Sequence, residues 1–518
     1  MISKRYLFSA ALLLAAFVTT ATHAMTIETR GNTVYATGEL GDDYVKFKEA
    51  FAQPGIKRVV FVNSPGGDLW NSMHIGHLIR ERGLDTVAAG YCVSGCTVMF
   101  MGGKERSFSD AFRPEATLLG LHGPHNRDTK VVSSSQAVQI YHFLKESMGD
   151  RFNSKVMEMA LYEMDDADSL LRVFDATRPP KRLTFHCRSA LVSHKDCTIL
   201  GDQDALSLGF VTTNAYAPID LPASFPQPDY PNRSKPTPTL AGWELYQTVD
   251  RIDEFLRALS SDQCSVASCR SPIMGFAEMK QNRAIAIPVN APKQGGGWAW
   301  GLASANEAFV RSIYSCNHVS DRPARLCEGV LVNDFDIRDI YKNGAEDHSK
   351  AQTKLTVPSE KFYADEESGG SAADSGILHA KNPDDIPPPS LDGIKTVGTQ
   401  ELAIALKSPQ PPVLIDVANT EEVLPGALSL LHGGVVHEDF LADASYESRF
   451  VELLRLLSRD KNSPVVFYSK GRDWYSANAA IRAARLGYKQ VGWYRGGLAS
   501  WKSAQLPLAH AIVRAVVE

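Results

Sequence analysis

The sequence predicts an α/β multidomain protein. Two stretches alternate short apolar strands with helices, and a block between them combines a helix and a strand with paired cysteines. At 518 residues the chain is long enough for about three domains. A hydrophobic content of 44% and a net charge of −5 are typical of folded proteins and argue against a nucleic-acid partner.

The first residues have the pattern of a secretory signal. Lys4 and Arg5 precede an apolar run to about Val18, and small residues follow as far as Ala24. The run is too short to span a bilayer comfortably, so we predict cleavage after Ala24, with an uncleaved anchor as the alternative. We expect no transmembrane segment after cleavage and a periplasmic or secreted protein.

Two segments have the composition of linkers. Residues 218–240 are rich in proline, which disfavours helices and central strands. Residues 351–392 are acidic and end in a run of prolines. The predicted order is a signal peptide at 1–24, a first domain at 25–217, a Pro-rich linker at 218–240, a small Cys-containing α+β module at 241–350, an acidic/Pro-rich linker at 351–392 and a last domain at 393–512.

The eight cysteines fall in neighbouring pairs. An even number in an exported chain favours disulfides, although sequence alone does not fix their connectivity. The C-x3-C spacing of the first pair fits neither a redox motif nor a zinc site, so a bridge is preferred over free buried cysteines or a reactive pair. The candidates are Cys92 with Cys96, Cys187 with Cys197, Cys264 with Cys269, and Cys316 with Cys327. We predict no metal site and no cofactor.

The first domain opens with a predicted parallel βαβ unit. "RVVFV" at 58–62 and "DTVAA" at 85–89 are short strand patterns, and a helix is predicted over 69–82 between them. "GYCVSGCTVMFMGG" then indicates a tight turn that enters an apolar helix, and "ATLLGLHGP" indicates a strand that ends at His122.

These segments contain the parts of a nucleophilic site. Ser94 at a strand-to-helix turn can expose its hydroxyl while the first helix amides stabilise an oxyanion. The glycines of "NSPGGD" at 63–68 allow a second backbone donor to approach, and His122 is the candidate base. Each part also has a structural interpretation, as a helix cap, a turn or a structural histidine.

Over about residues 32–215 the chain resembles the catalytic subunit of Clp protease and the wider Clp/crotonase superfamily. The resemblance lies in the order of "NSPGG", Ser94 in "GYCVSG" and then His122. The resemblance implies a homo-oligomer that acts on a peptide or protein, and a late helix in "DQDALSLGFV" at 202–211. The implied site residues are Ser94 as nucleophile, His122 as base, and Gly67 and Gly95 as backbone oxyanion donors. The third triad member has no matching motif, and Asp166 and Asp168 rank first by spacing alone.

The middle module is predicted from "GGGWAWGLASANEAFVRSIYSCN" and "ARLCEGVLVND". Phe309, Ile313 and Cys316 recur at helical spacing, and a strand with Cys327 follows. We expect a structural or binding module without catalysis.

In the last domain "PVLIDV", "LPGAL", "SPVVFYSKGRDWYSANAAIRAARLGY" and "VGWYRGGLASWKSAQLPL" together resemble a rhodanese domain. Rhodanese chemistry carries sulfur as a persulfide on the first loop residue, and that position is Ser469, which cannot hold it. The loop amides beside Lys470 and Arg472 are predicted to hold an oxyanion or a partner's carboxylate, with a solvated empty loop as the alternative. The degenerate loop consists of Ser469, Lys470, Gly471, Arg472 and Asp473.

Three functions follow from these patterns. The leading hypothesis is an exported Clp-like serine hydrolase, or peptidase, with a catalytically degenerate rhodanese-like domain used for binding. The main rival is a non-catalytic scaffold that binds a peptide or protein through both folds. The third, a rhodanese-type sulfurtransferase, is disfavoured by Ser469.

Overall fold

The structure is a computed structural model of the chain. The described residues are 24–126, 129, 131–188, 197–201, 203–228, 239–240, 242–264, 272–289, 295–320, 322–361, 363, 366, 376–380 and 385–518. Most of the predicted signal peptide and Cys269 therefore lie outside the described residues. Within these ranges no helix is long and apolar enough to cross a membrane.

The first domain is built on a nine-stranded sheet. Its strands are β1 Thr26–Arg30, β2 Thr33–Leu40, β3 Arg58–Gly67, β4 Asp85–Val93, β5 Arg106–Phe108, β6 Leu118–Leu121, β7 Leu170–Val173, β8 Phe185–Cys187 and β9 Cys197–Ile199. The order is β1-β2-β3-β4-β6-β7-β8-β9, with β5 also paired to β4. The helices are α1 Tyr44–Ala52, α2 Leu69–Glu81, α3 Gly95–Phe100, α4 Ser134–Met148 and α5 Ser154–Tyr162.

The parallel part of this sheet follows from the apolar pattern of the sequence. Strands β2, β3, β4 and β6 run parallel, with α1 and α2 as crossover connections. Residues 59–62 of β3 are fully buried, because helices or loops cover both faces of the strand. The predicted strand, helix and strand are present, and the α/β fold class is confirmed.

The predicted late helix at 202–211 is not a helix. In its described part, residues 203–211, the chain forms tight turns, in which the Leu208 amide donates to the Asp204 carbonyl at 3.0 Å and the Gly209 amide to the Leu206 carbonyl at 3.1 Å. Gly209 has φ 75°, a conformation that ends a helix, so the pattern is too short to continue one.

The middle module contains a four-stranded antiparallel sheet in the order β13-β12-β14-β15. Its elements are β10 Thr239–Leu240, β11 Trp243–Glu244, α6 Ile252–Gln263, β12 Ala284–Pro288, β13 Gly297–Ala299, α7 Ala305–Asn317, β14 Cys327–Val332, β15 Phe335–Asp336 and α8 Arg338–Lys354. Phe309, Ile313 and Cys316 form the buried face of α7, as their spacing predicts.

The last domain has a six-stranded parallel sheet in the order β16-β21-β20-β17-β19-β23. Its elements are β16 Lys395–Thr396, α9 Thr399–Leu406, β17 Val413–Asp416, β18 Glu422–Val423, β19 Leu428–Leu431, α10 Phe440–Leu457, β20 Val465–Tyr468, α11 Trp474–Arg485, β21 Val491–Trp493, α12 Gly497–Ser503, β22 Ala509–His510 and β23 Val513–Val516.

Strand β23 lies beyond the predicted end of the last domain at residue 512 and joins that domain to the middle module. Val513 and Val516 pack in one apolar cluster with Phe309 of α7. The Asn317 side-chain amide also donates to the Arg514 carbonyl at 2.9 Å. The module and the last domain therefore share a core.

Parts of the predicted 351–392 linker dock on the last domain. The buried Arg495 guanidinium donates to the carbonyls of Glu366 at 3.0 Å and Pro387 at 2.8 Å. The His379 ring stacks on Trp474 with centroids 4.6 Å apart. These contacts hold the described parts of the segment against the start of α11 and the turn between β21 and α12.

A buried ion pair joins the first domain to the middle module. Arg182 Nε lies 3.2 Å from Asp253 Oδ2, and both side chains are 2% exposed. The same carboxylate oxygen accepts the Leu183 amide at 3.1 Å, while Arg182 reaches Glu278 Oε1 at 3.1 Å. A buried charge is costly without its partner, so this pair fixes how the two units meet.

We expect Asp253→Ala to destabilise the protein by about 1–3 kcal/mol, because the buried Arg182 guanidinium then has only the partly exposed Glu278 as an ion-pair partner among the described residues. The double variant Arg182→Met/Asp253→Leu should lose much less, since it removes both charges. Urea denaturation midpoints measure both effects, and a double variant as unstable as Asp253→Ala would contradict this account.

Candidate active site

Three adjacent parallel strands end at one edge of the first sheet. Gly67 ends β3, Ser94 follows β4 and His122 follows β6. Because the carboxyl ends of parallel strands meet at the same edge, the three residues face a common cavity of about 1220 Å³, together with Gly95. The structure thus brings together Ser94, His122, Gly67 and Gly95.

Ser94 occupies a left-handed turn between β4 and α3, with φ 57° and ψ −126°. Its amide donates to the Gly120 carbonyl at 2.7 Å. Among the described residues its side chain makes no helix-capping hydrogen bond. Ser94 is therefore not a conventional helix cap, and it lines the cavity instead.

Three contacts hold the turn at Ser94. A Cβ on Gly66 would lie 2.4 Å from the Val93 carbonyl oxygen and 2.6 Å from the Gly95 nitrogen, so only glycine allows β3 to approach this closely. Thr97 Oγ1 lies 2.8 Å from the Cys92 carbonyl and 2.7 Å from the Gly120 carbonyl. The third contact is a disulfide, described next.

The Cys92–Cys96 disulfide, with an S–S distance of 2.01 Å, brackets Ser94. The sulfurs of Cys187 and Cys197 lie 1.94 Å apart across β8 and β9, and those of Cys316 and Cys327 lie 2.05 Å apart between α7 and β14. Cys264 is disulfide-bonded, and Cys269 lies outside the described residues. Cys92 and Cys96 are fully buried, so their bond acts as a brace within the core.

The "NSPGG" segment ties the end of β3 to both neighbouring strands. Asn63 Oδ1 accepts the Tyr91 amide at 3.2 Å, and the Ser64 hydroxyl donates to the Gly38 carbonyl at 2.8 Å. Gly67 has φ 148°, and a Cβ there would lie 2.0 Å from the Leu40 carbonyl oxygen. The Gly67 nitrogen is itself 3.3 Å from where a Cβ of Gly95 would lie, so the two predicted oxyanion donors are adjacent.

The His122 ring is oriented by backbone. Its Nδ1 lies 2.7 Å from the Gly123 carbonyl oxygen. A carbonyl only accepts, so Nδ1 carries the proton and Nε2 keeps its lone pair. Removal from water lowers the pKa of His122 to about 4, partly opposed by the bond to Gly123. His122 is therefore neutral near pH 7, as a base must be.

The Ser94 hydroxyl and the His122 ring are not hydrogen-bonded to each other in the described structure, although both residues line the cavity. Catalytic hydrogen bonds are often long before substrate binds. The ring of His125 lies beside His122, with centroids 5.1 Å apart.

The structure does not bring Asp166 or Asp168, the predicted third triad members, into contact with the His122 ring. Asp166 Oδ1 accepts the Asp168 amide at 2.8 Å in a local turn, and Asp168 is exposed. Neither carboxylate reaches His122 Nδ1, which is bonded to Gly123. Asp168 acts on His122 only as a minor electrostatic influence that raises its pKa.

The loop after β20 in the last domain is filled by the chain itself. Ser469 is 1% exposed, and its Oγ lies 2.6 Å from Asp473 Oδ1 and 2.9 Å from Ser476 Oγ. The Asp473 carboxylate accepts the Tyr475 amide at 3.0 Å, at the start of α11. One amide at the start of the helix is therefore already bonded to a carboxylate of the chain itself, while Lys470 is exposed and Arg472 partly exposed.

A second carboxylic acid, Asp416, ends β17, the strand that pairs with β20. Asp416 is buried, and burial raises its pKa well above the usual range. Its Oδ1 accepts the Ala418 amide at 3.1 Å, which is a local hydrogen bond to the backbone. Burial likewise raises the pKa of Asp473, so the interior of the loop is poorly suited to a further negative charge.

Comparison with protein families finds the model described as Rhodanese-like domain at residues 399–504, which span α9 to α12. Residues 399–504 form a rhodanese-like domain. The rhodanese-like domain retains the fold, with Ser469 at the loop position where the sequence predicts the sulfur carrier. A search of curated proteins finds no match for the chain.

Solved structures show weak likeness. A ClpP1 mutant from Listeria monocytogenes is 13% identical, with 36% of this chain and 92% of that chain covered and a TM-score of 0.24. A mutant of the 1510-N membrane-bound stomatin-specific protease is 13% identical, with 37% and 82% covered and a TM-score of 0.24. An enoyl-CoA hydratase/isomerase from Marinobacter aquaeolei is 14% identical, with 37% and 70% covered and a TM-score of 0.23.

Sequence reasoning missed four contributors to the first site. Gly66 contributes by having no Cβ, and Thr97 contributes a buried hydroxyl. Gly123 contributes its carbonyl, and the ring of His125 lies beside that of His122. The glycine pair in "NSPGG" and the "HGPH" run at 122–125 were the available signals. Nothing in the pattern indicates that the Gly123 carbonyl accepts a hydrogen bond from His122 Nδ1.

We expect the His122 ring to titrate near pH 4, well below an ordinary histidine, because burial disfavours its charged form. Histidine resonances followed by NMR between pH 3 and 8, assigned with His122→Gln, measure this. A His122 midpoint near about 6.5, the unperturbed value, would contradict the buried neutral ring.

Proposed function

We propose that the first domain is an exported serine hydrolase that cleaves peptides, and that the rhodanese-like domain binds a ligand or partner without transferring sulfur. The proposal rests on the conformation and position of Ser94. Its backbone has a positive φ, its side chain makes no helix-capping hydrogen bond, and it faces one cavity with His122, Gly67 and Gly95. The cavity exceeds the roughly 300–1,000 Å³ of typical small-molecule sites, which suits an extended peptide segment.

In this mechanism the Ser94 hydroxyl attacks the peptide carbonyl, and His122 Nε2 takes the hydroxyl proton. The Gly67 and Gly95 amides donate to the oxyanion that forms. His122 then gives its proton to the leaving amine, and water hydrolyses the acyl-enzyme by the reverse use of the same groups. The Gly123 carbonyl orients the ring but carries only a partial charge, so it stabilises the imidazolium less than a carboxylate would.

Fluorophosphonate labelling tests the nucleophile. We expect wild type to be labelled, Ser94→Ala to lose labelling completely, and His122→Ala to react at least about 100-fold more slowly, because general-base catalysis contributes about 10²–10⁴-fold. Ser261→Ala serves as a control, since the exposed Ser261 hydroxyl donates to the Ala258 carbonyl in the middle module and does not line the cavity. Labelling of wild type no greater than that of Ser94→Ala would exclude the hydrolase.

The labelling rate should fall only in acid. The base works when neutral, and its pKa is lowered to about 4, so the active form persists as pH falls and is lost through about pH 4. The rate measured from pH 3.5 to 8 on a stable fold should be half-maximal near pH 4. A half-maximal point near 6.5 would show that another or an unperturbed base is used.

A non-catalytic scaffold is the second candidate function. It is favoured by two features of the described residues, namely that Ser94 and His122 share no hydrogen bond and that no carboxylate contacts His122. In a scaffold the cavity binds a peptide without cleaving it. Peptide binding by wild type and Ser94→Ala with equal affinity, without labelling or turnover, would favour this candidate.

For the rhodanese-like domain we propose binding through its surface and no sulfur transfer, because Ser469 cannot carry persulfide and Asp473 fills the loop. Export to the periplasm or outside the cell is consistent with the disulfide pairs. A homo-oligomer through the first domain belongs to the same proposal.

The single variant Ser469→Cys should leave thiosulfate-to-cyanide sulfur transfer at background, because the adjacent Asp473 carboxylate raises the thiol pKa and accepts the Tyr475 amide. Ser469→Cys/Asp473→Ala removes that carboxylate and should raise transfer above the single variant. Activity in wild type, or more activity in the single than in the double variant, would contradict this view.

A further inference from the structure

A buried carboxylate ties the start of β1 to the loop before α1. The Asp43 side chain is fully buried and binds three donors. Its Oδ2 accepts the Met25 amide at 3.0 Å and the Gly41 amide at 3.0 Å, and its Oδ1 contacts Lys46 Nζ at 2.7 Å. Among the contacts of the described residues, Lys46 is the cation at this carboxylate, and its side chain is half exposed to water.

Met25 is the residue at which the chain enters the core of the first domain. Met25 is 3% exposed and packs in the main apolar cluster, whereas Ala24 is exposed. The peptide bond between Ala24 and Met25 therefore lies at the boundary between surface and core. Its nitrogen is the atom bonded to Asp43, so the chemical state of that nitrogen decides how well the carboxylate is satisfied.

We propose that the chain is cleaved between Ala24 and Met25 and that Asp43 is the receptor for the new α-ammonium of Met25. Hydrolysis by a leader peptidase of the export machinery adds water across this bond. Ala24 departs with a carboxylate, and the Met25 amine takes up a proton. A neutral donor with one hydrogen becomes a cation with three, placed 3.0 Å from a buried carboxylate oxygen.

The same carboxylate oxygen is linked to the site. Through the Gly41 amide, Asp43 fixes the loop after Leu40, whose carbonyl accepts the Asp68 amide at 3.0 Å and packs on Gly67. Gly67 is an oxyanion donor under the proposed function, on which this second step rests. Processing would thus strengthen the support of the oxyanion donor as well as remove the leader.

The first test is the amino terminus of the exported protein. Intact mass and amino-terminal sequencing of the full-length chain after export should show Met25 as the first residue with an unmodified amine. A chain that begins at any other residue, or whose leader remains, would overturn the proposal whatever the activity of Ser94.

The second test is a double-variant cycle. Chains that begin at Met25 or at Ala24 are compared, each with and without Asp43→Asn. The extra residue moves the ammonium by about 3.8 Å and leaves Met25 as an amide donor. We expect Asp43→Asn to reduce the folding equilibrium constant about tenfold more in the Met25 chain, a coupling of about 1.4 kcal/mol. Equal effects in the two chains would overturn the ion pair.

Lys46→Gln is the matched control, because it removes the exposed cation of the same carboxylate while leaving Met25 in place. Its effect should be the same in both chains. If it instead depends on the starting residue, the coupling cannot be assigned to the Met25 ammonium.

Fluorophosphonate labelling separates the two proposals. With the ion pair present, the chain that begins at Met25 should react several-fold faster than the Ala24 chain, and Asp43→Asn should abolish the difference. Equal rates would refute the link to the oxyanion donor. Absence of labelling in every chain would refute the hydrolase, while the mass and the folding cycle still decide the amino-terminal ion pair.

Discussion

The left-handed backbone of Ser94 is the constraint on which the first site depends. A non-glycine residue at φ 57° costs of the order of 1–3 kcal/mol, so surrounding contacts must hold it. The close approach of Gly66, the Thr97 hydroxyl and the Cys92–Cys96 disulfide do so, together with the bond from the Ser94 amide to Gly120. Without them the turn would relax and the hydroxyl would lose its place beside Gly67 and Gly95.

Both α/β domains place a serine after a parallel strand, yet the two serines differ in their surroundings. Ser94 faces a cavity with a neutral histidine, whereas Ser469 is buried against a carboxylate. The fold supplies the edge of the sheet in each case, and the side chains around it decide what chemistry is available. In the rhodanese-like domain the Asp473 carboxylate contacts the Ser469 hydroxyl and accepts the Tyr475 amide, so the loop already holds a negative group of its own.

The elements that could be predicted are those with a short periodic pattern of apolar residues. The strands and helix over 58–89 follow from apolar periodicity, and parallel topology alone places Gly67, Ser94 and His122 at one edge. The rest depends on contacts that leave no pattern. The Gly123 carbonyl accepts a hydrogen bond from His122 Nδ1, and the Asp473 carboxylate accepts one from the Tyr475 amide. Strand β23 was missed because its four residues acquire their partners only from the folded sheet.

A crystal structure of the fluorophosphonate-treated protein tests the central claim most directly. The account predicts a phosphonyl group bonded to Ser94 Oγ, with its oxygen within hydrogen-bond distance of the Gly67 and Gly95 amides and His122 Nε2 facing the leaving-group side. A phosphonyl group on another residue, or an oxygen directed away from both amides, would contradict the assignment of Ser94 as the nucleophile.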